Sequence, residues 1–178
     1  MQIENFISKT HRLQNIYYFH GFDGFLTHEK RKILENFGNV IAPTYNYRDA
    51  QTLIQIKESF FEKDLDGSVF IGTSFGGYVA NYLSTVYDKP NLLFNPALLF
   101  RMLKMGLDAP LTSSLQSLSY FVLGEKDRLL NYGDNVRFIT DYFKGPTEII
   151  IEKEMGHHIP PNIFDKQADN FFKMIAEK

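Results

Sequence analysis

The chain has 178 residues, of which 44% are hydrophobic and 22% charged, a balance that is typical of one globular domain and excludes a disordered chain. A formal net charge of −2 gives no general attraction to nucleic acid or to anionic membranes, and no run approaches the ~18 apolar residues that would span a bilayer. The absence of cysteine excludes disulfides, thiolate zinc sites and a cysteine nucleophile, and with a polar N-terminal stretch that lacks a secretion signal it predicts a cytoplasmic protein.

Six short runs predict the strands of a sheet. They are mostly continuous apolar runs rather than alternating ones, which is typical of strands covered on both faces. In chain order they are NIYYF (15–19), NVIAP (39–43, the weakest), SVFIG (68–72), NLLFN (91–95), SYFVL (119–123) and TEIII (147–151).

Helical patterns lie between these strands, with apolar residues at spacings of three and four on one face. They cover residues 49–64, 76–87 and 162–178, and another helix is expected to begin near Arg128. This alternation predicts an α/β fold, in which a mostly parallel, doubly wound sheet of about six strands carries helices on both faces. No repeat or long linker divides the chain, so we expect a single domain over residues 1–178.

The segment 95–118 departs from simple alternation. A proline turn leads into a dense apolar cluster between residues 98 and 105, and Pro110 and a Ser/Thr-rich loop follow. One interpretation is an ordinary packing helix with a return loop. The other is a short lid or wall over a binding cleft, formed by residues 97–118.

The motif with the clearest chemical meaning is Gly-Thr-Ser-Phe-Gly at residues 72–76, between a predicted strand and a predicted helix. In this context Gly-x-Ser-x-Gly holds a serine in a strained turn and exposes its hydroxyl as a nucleophile. A purely structural strand–helix turn is the alternative for Ser74. The segment has neither the Gly-Lys-Ser/Thr of a phosphate loop nor the Gly-x-Gly-x-x-Gly of a dinucleotide site.

A serine hydroxyl needs a base, and the base needs an acid to orient it. Asp127 follows a predicted buried strand and is the favoured acid, with Glu125 as its rival and helix capping as the structural alternative. For the base, only His157 and His158 follow that acid in the chain. Neighbouring side chains project in different directions, so one of them reaches Ser74; we favour His157 and keep His158 as the alternative base. Adjacent histidines chelate poorly, so no zinc site is predicted.

Two backbone N–H groups are candidates for the oxyanion hole. The amide of Phe75 would begin a helix, where backbone donors converge on negative charge. The first strand ends in His20-Gly21-Phe22, and the glycine lets the chain turn so that the N–H of Phe22 can point at the same oxyanion. His20 precedes the serine and is interpreted as a residue that fixes this loop.

The chain resembles the α/β-hydrolase superfamily in the order of its motifs. In chain order these are His20-Gly21-Phe22, Gly72-Thr73-Ser74-Phe75-Gly76, Gly124-Glu125-Lys126-Asp127 and Met155-Gly156-His157-His158-Ile159-Pro160. The short chain, SFGGYVA and FNPALL (94–99) are similar to the small bacterial esterases of the YqiA/UPF0227 group. The resemblance covers the chain from about Ile16 to the last helix and implies a compact α/β-hydrolase fold. It also implies a Ser–His–Asp triad that hydrolyses a carboxylic ester or thioester without a cofactor or metal.

The chain departs from this family in two places. Glu154 stands where many members have another glycine, and the spacing of MGHHIP matches the superfamily's common Gly-His form, which selects His157. The small-esterase group often has one more residue before its histidine, which would select His158. Residues 1–13 precede the usual start of the fold and are assigned no role.

The sequence therefore predicts a serine hydrolase that acts on acyl esters or thioesters. The acyl group is expected to be small, because a long acyl chain needs a larger apolar cover than residues 97–118 can supply. It is expected to act as a monomer or small homo-oligomer. A non-catalytic binding protein or an acyl-transfer protein on the same fold is the alternative.

Overall fold

The structure of the protein is a computed structural model, which describes residues 15–103 and 115–177. Its six strands correspond to the six predicted runs. Their bounds are β1 Asn15–Phe19, β2 Asn39–Ile41, β3 Val69–Thr73, β4 Asn91–Phe94, β5 Ser119–Gly124 and β6 Thr147–Glu152. The second strand is two residues shorter than predicted: it lies at the sheet edge and ends before Pro43, which has no N–H to donate.

The strands form one sheet in the order β2-β1-β3-β4-β5-β6, and every pairing between them is parallel. The predicted fold class is confirmed, with a fully parallel sheet in place of a mostly parallel one. Strand β2 pairs with one side of β1, and the next strand along the chain, β3, pairs with the other side of β1, so the direction of strand addition reverses there. This reversal opens a crevice at the carboxyl ends of β1 and β3, where α/β sheets bind their ligands.

Helices cover both faces of the sheet, as expected. Alternate residues of β1 show the division, because Tyr17 belongs to one buried cluster and Tyr18 to the other. Helices α2 (Ala50–Phe60), α3 (Phe75–Tyr87) and α4 (Tyr132–Tyr142) pack on the Tyr17 face. Helices α1 (His28–Glu35) and α5 (Pro161–Ala176) pack on the Tyr18 face, and α1 was not predicted.

Part of the segment between β4 and β5 is a 3₁₀ helix, Leu98–Leu103. Its first residue, Leu98, is fully buried in the cluster with α3, so this end of the segment contributes to the core. Of the proposed lid, 97–118, residues 104–114 lie outside the described residues, as do residues 1–13. Within the described part of the chain, none of the helices combines the length and apolar character that crossing a bilayer requires.

Candidate active site

Ser74 lies between β3 and α3 with a backbone conformation of φ 52° and ψ −121°. A positive φ is sterically costly for a residue with a Cβ and persists only where the surroundings enforce it. The surroundings here are hydrogen bonds: the Ser74 N–H donates to the Phe94 carbonyl at 3.0 Å, and the Ser74 carbonyl accepts from Gly77 and Ala97, each at 3.0 Å. The strained turn is therefore held by β4 on one side and by α3 on the other.

The two flanking glycines are required by close backbone approach. A Cβ at Gly72 would lie 2.7 Å from the carbonyl carbon of Gly76. A Cβ at Gly76 would collide with the carbonyl oxygens of Phe19 and His20, which are backbone atoms at the end of β1. The spacing Gly-x-Ser-x-Gly thus lets α3 start directly against the first strand, with the serine half-exposed at the crevice.

His157 reaches Ser74 from the loop that follows β6. Its Nε2 atom lies 3.1 Å from the Ser74 Oγ. The imidazole is 29% exposed, whereas the neighbouring His158 is an exposed residue. The structure thus brings together Ser74 and His157, the favoured candidate for the base, and leaves His158 at the surface.

Asp127 lies on the other side of the imidazole, after β5. Its Oδ2 atom is 2.8 Å from His157 Nδ1, and its side chain is completely buried. The second oxygen, Oδ1, accepts from the N–H groups of Leu129 at 2.8 Å and Leu130 at 3.0 Å. A buried carboxylate needs such donors, because an unpaired charge away from water is very unfavourable. The rival acid Glu125 is exposed.

Asp127 does not cap the following helix, which was the structural alternative. The N-cap of α4 is Asn131, whose side chain accepts from the N–H groups of Gly133 and Asp134. Asp127 instead closes its own short turn and presents its free oxygen to the imidazole. With Nδ1 donating to this carboxylate, Nε2 carries the lone pair that can accept the Ser74 hydroxyl proton.

The two candidate oxyanion amides come from chain segments that lie against Ser74. Phe75 is the first residue of α3, so its N–H is one of the amides that a helix leaves without an internal acceptor. Gly21 is so close that a Cβ there would lie 3.2 Å from the Ser74 Cβ. Phe22 follows it, and the ring centroids of Phe22 and Phe75 are 4.6 Å apart.

His20 has the loop-fixing position expected from the sequence. It is 2% exposed, and its Nε2 atom accepts the Tyr45 N–H at 2.8 Å. Because Nε2 is an acceptor, Nδ1 carries the proton and donates to the Gly21 carbonyl at 2.6 Å. The loop after β1 is thereby joined to the loop after β2, and His20 has no ring nitrogen left for Ser74.

Aromatic rings form one wall beside the serine. Phe75 packs edge-on against Tyr47 at 5.0 Å and against Phe100 at 5.5 Å between centroids. Phe22 closes the wall at the surface and is 43% exposed. Burial raises the pKa of the Tyr47 hydroxyl above its ordinary value, so Tyr47 stays neutral, and its hydroxyl has no hydrogen-bond partner among the described residues. The wall is therefore aromatic and uncharged.

One pair of charges lies at the rim of this wall. The Arg48 guanidinium lies 5.7 Å from the centroid of the Phe22 ring. The same side chain pairs with Asp23 through two contacts, one of them from Nε to Oδ1 at 3.2 Å. The positive charge at the rim is thus balanced by a carboxylate.

Two residues near the site were missed by reasoning from the sequence, Tyr47 and Asn95. Tyr47 belongs to no motif, and FNPALL (94–99), which contains Asn95, was quoted for its resemblance without a chemical task. Both residues approach the site only through the tertiary fold. A weak signal for Asn95 was available, since it ends a buried strand and precedes proline. Among residues 15–103 and 115–177, no group of three or more His, Asp or Glu side chains could hold a metal ion.

The family described as "Uncharacterised protein family (UPF0227)" has a sequence model that matches residues 15–121. No curated protein has a sequence that matches this chain.

Three solved structures illustrate the likeness of the fold. Mouse alpha/beta hydrolase domain-containing protein 10 is 9% identical, with a TM-score of 0.72 over 90% of each chain. MGS-MChE2, an alpha/beta hydrolase enzyme from a sediment metagenome of the Mar Chica lagoon in Morocco, is 13% identical, with a TM-score of 0.67 over 91% of each chain. The acetyl ester-xyloside bifunctional hydrolase of Caldicellulosiruptor lactoaceticus is 13% identical, with a TM-score of 0.62 over 95% of this chain and 85% of that one. Identities this low show a shared α/β-hydrolase fold and nothing finer.

Proposed function

This chain belongs to the UPF0227 family, and we propose that it is a serine hydrolase that cleaves small carboxylic esters or thioesters through an acyl-enzyme on Ser74. One observation carries the proposal: two consecutive hydrogen bonds link Asp127 Oδ2 to His157 Nδ1 at 2.8 Å and His157 Nε2 to Ser74 Oγ at 3.1 Å. A strained serine, a base within reach of it and a buried acid behind that base are the parts that acyl transfer requires.

In the acylation step, His157 takes the Ser74 hydroxyl proton while Oγ attacks the carbonyl carbon of the substrate. Asp127 holds the imidazole in the required tautomer and stabilises the imidazolium that forms. The negative charge that develops on the carbonyl oxygen is stabilised by the N–H groups of Phe22 and Phe75. When the tetrahedral intermediate collapses, the imidazolium gives its proton to the leaving alcohol or thiol.

In the deacylation step, His157 removes a proton from water, and the hydroxyl attacks the acyl-enzyme carbonyl. The second tetrahedral intermediate expels Ser74, which recovers its proton from the imidazolium. Every proton moved in the cycle is carried by the serine, the histidine, water or the substrate. The proposed reaction therefore uses no cofactor and no metal.

The wall beside Ser74 supports the proposed substrate class. Of its rings, Phe22 is 43% exposed and presents uncharged aromatic surface, and the buried rings of Tyr47 and Phe75 pack behind it. The charge of Arg48 at the rim is balanced by Asp23. Burying an apolar acyl or aryl group against such rings is favourable, whereas a charged acyl group would find no partner there. We therefore assign neutral, small acyl groups to this site.

The test measures initial rates of hydrolysis of p-nitrophenyl acetate and butyrate by the wild type and by Ser74→Ala. Ser117→Ala is the matched control, because Ser117 lies before β5 at the amino ends of the strands, and among the described residues its hydrogen bonds go to Asp88. We expect turnover by the wild type and by the control, and turnover at the uncatalysed rate with Ser74→Ala. Equal rates for Ser74→Ala and the wild type would show that the proposal is wrong.

A further inference from the structure

We infer that Asn95 is a positioning residue for the base, whose side chain holds the peptide of His157 against the end of β5. The inference rests on the proposed function for its catalytic meaning. Asn95 directly follows β4, is 2% exposed and has a φ of 41°. Its side chain points neither to Ser74 nor to solvent but joins two neighbouring segments that carry site residues.

The Asn95 amide uses both its acceptor and its donors. Its Oδ1 atom accepts the N–H of Gly124 at 2.7 Å. Its Nδ2 atom donates to the carbonyl of Gly156 at 2.8 Å and to the carbonyl of His157 at 3.3 Å. One buried side chain thus connects β4, the last residue of β5 and the peptide groups on both sides of the His157 Cα.

The two loops joined in this way are those that hold the acid and the base. Gly124 begins the turn that presents Asp127, whose N–H donates to the Gly124 carbonyl at 3.1 Å. The same two loops also meet through the Lys126 N–H, which donates to the Met155 carbonyl at 3.0 Å. The Asn95 side chain adds a contact with His157 itself, because its Nδ2 atom donates to the His157 carbonyl. Among the described residues, no other side chain is hydrogen-bonded to that carbonyl.

The backbone conformation supports a specific requirement for asparagine. A φ of 41° lies in the left-handed region, which asparagine and glycine occupy far more readily than other residues. The Asn95 N–H donates to the Val122 carbonyl at 2.9 Å, which continues the pairing of β4 with β5 and fixes where the side chain starts. From this position an amide side chain can reach both loops.

A second asparagine on the same strand shows what a purely structural role looks like. Asn91, at the other end of β4, is fully buried, and its Nδ2 atom donates to Ser84 Oγ at 2.6 Å and Ser119 Oγ at 3.1 Å. Ser84 lies in the last turns of α3 and Ser119 begins β5, so these contacts lie at the amino ends of the strands, away from the site. Asn91 is therefore a matched control, since its replacement costs comparable buried hydrogen bonds without touching the site.

The experiment compares Asn95→Gly with Asn91→Ala, using p-nitrophenyl acetate at a temperature where circular dichroism shows both to be folded. Glycine keeps the left-handed backbone and removes the side chain. We expect Asn95→Gly to lower kcat on the order of 10²-fold, because a small misplacement of the base is that costly, and to change KM less than threefold. Asn91→Ala should lower the free energy of unfolding while leaving kcat within twofold of the wild type.

A second readout does not depend on turnover. In the wild type and in Asn91→Ala, the His157 Nδ1 proton should be visible by NMR as a protected imidazole proton, because Asp127 accepts it. In Asn95→Gly that proton should exchange with solvent and disappear. If Asn95→Gly does not fold, Asn95→Asp replaces it: this variant keeps the acceptor for Gly124, and at pH 9 its carboxylate no longer donates. It is expected to lower kcat at least tenfold.

The outcomes separate the inference from the proposed function. Wild-type kcat and a protected His157 proton in the Asn95 variant would overturn the inference and leave the proposed function standing. A wild type that shows no Ser74-dependent turnover would contradict the proposed function, while loss of the protected proton in Asn95→Gly alone would still support the positioning role. Equal losses of kcat in the Asn95 and Asn91 variants would overturn the inference, because they would reflect stability only.

Discussion

The Nε2 atom of His157 lies 3.1 Å from the Oγ atom of Ser74, although 83 positions of sequence separate the two residues. The sheet makes this contact possible, because β3 and β6 run parallel and end at the same edge. Ser74 follows the first of these strands directly, and His157 follows the second after a short loop. The contact therefore depends on the register of the whole sheet.

The first prediction concerns the strain at Ser74. Because the φ of Ser74 is 52°, the backbone of any residue that carries a Cβ is strained at this position, whereas that of glycine is not. We expect the free energy of unfolding of Ser74→Gly to exceed that of Ser74→Ala by about 1 kcal/mol, with both variants inactive. Urea unfolding curves measure the difference. A Ser74→Ala protein as stable as Ser74→Gly would mean that the turn is not strained.

The second prediction separates the two tasks of Asp127. Asparagine can still accept the N–H groups of Leu129 and Leu130, but it cannot hold the imidazole through a carboxylate. Asp127→Asn should therefore lower kcat by roughly 10⁴-fold, the order expected when the acid of a triad is neutralised, with little loss of stability.

Asp127→Ala is the matched variant for this experiment. It should be as inactive as Asp127→Asn and in addition lose about 1 kcal/mol per hydrogen bond of the turn. Kinetics with p-nitrophenyl acetate and urea unfolding measure the two effects independently. Activity retained by Asp127→Asn would rule out Asp127 as the acid.

Strands β1, β3, β4 and β5 were predictable because they are apolar runs that are almost entirely buried. The edge strands β2 and β6 are only partly buried and were predictable from their β-branched residues. The three helices predicted in full carry clear apolar stripes. Helix α1 was missed because His28–Glu35 has only two apolar residues, Ile33 and Leu34, which are adjacent and form no stripe. Its buried side is completed by Lys30, whose amine lies 5.4 Å from the centroid of the Phe164 ring in α5. A lysine that packs through its stem is not distinguishable from an exposed one in a sequence.

The site shows a similar limit. Ser74 could be predicted because the close backbone packing around it requires glycine at residues 72 and 76, and this requirement is visible as a short motif in the sequence. The selection between His157 and His158 could not be derived from residue spacing alone, because it depends on how the loop after β6 turns. Asn95 could not be assigned any task, because its three partners come from strands and loops that meet only in the fold.

The third prediction concerns alkaline unfolding. Burial raises the pKa of Tyr18 to about 12 from its ordinary value of 10.0. Between these two values the native state keeps a proton that the unfolded state has lost, so the contribution of Tyr18 to stability is fully present below pH 10 and is lost as the pH rises toward 12.

The test is urea unfolding of the wild type and Tyr18→Phe at pH 9, 10 and 11. Other buried tyrosines contribute to the wild-type slope, so the comparison isolates Tyr18. The unfolding equilibrium of the wild type should shift by up to one extra factor of ten per pH unit above pH 10, relative to the variant. Parallel pH profiles for the two proteins would mean that Tyr18 titrates normally in the native state.

The central claim is that Ser74 is a nucleophile activated by His157. The most direct measurement is mass spectrometry of the protein after treatment with a fluorophosphonate, applied to the wild type, His157→Gln and His158→Gln. We expect one adduct, on Ser74, that forms rapidly in the wild type and in His158→Gln, and at least 10³-fold more slowly in His157→Gln, since the base no longer accepts the hydroxyl proton. No adduct on Ser74 in the wild type, or equally rapid labelling of His157→Gln, would contradict the claim.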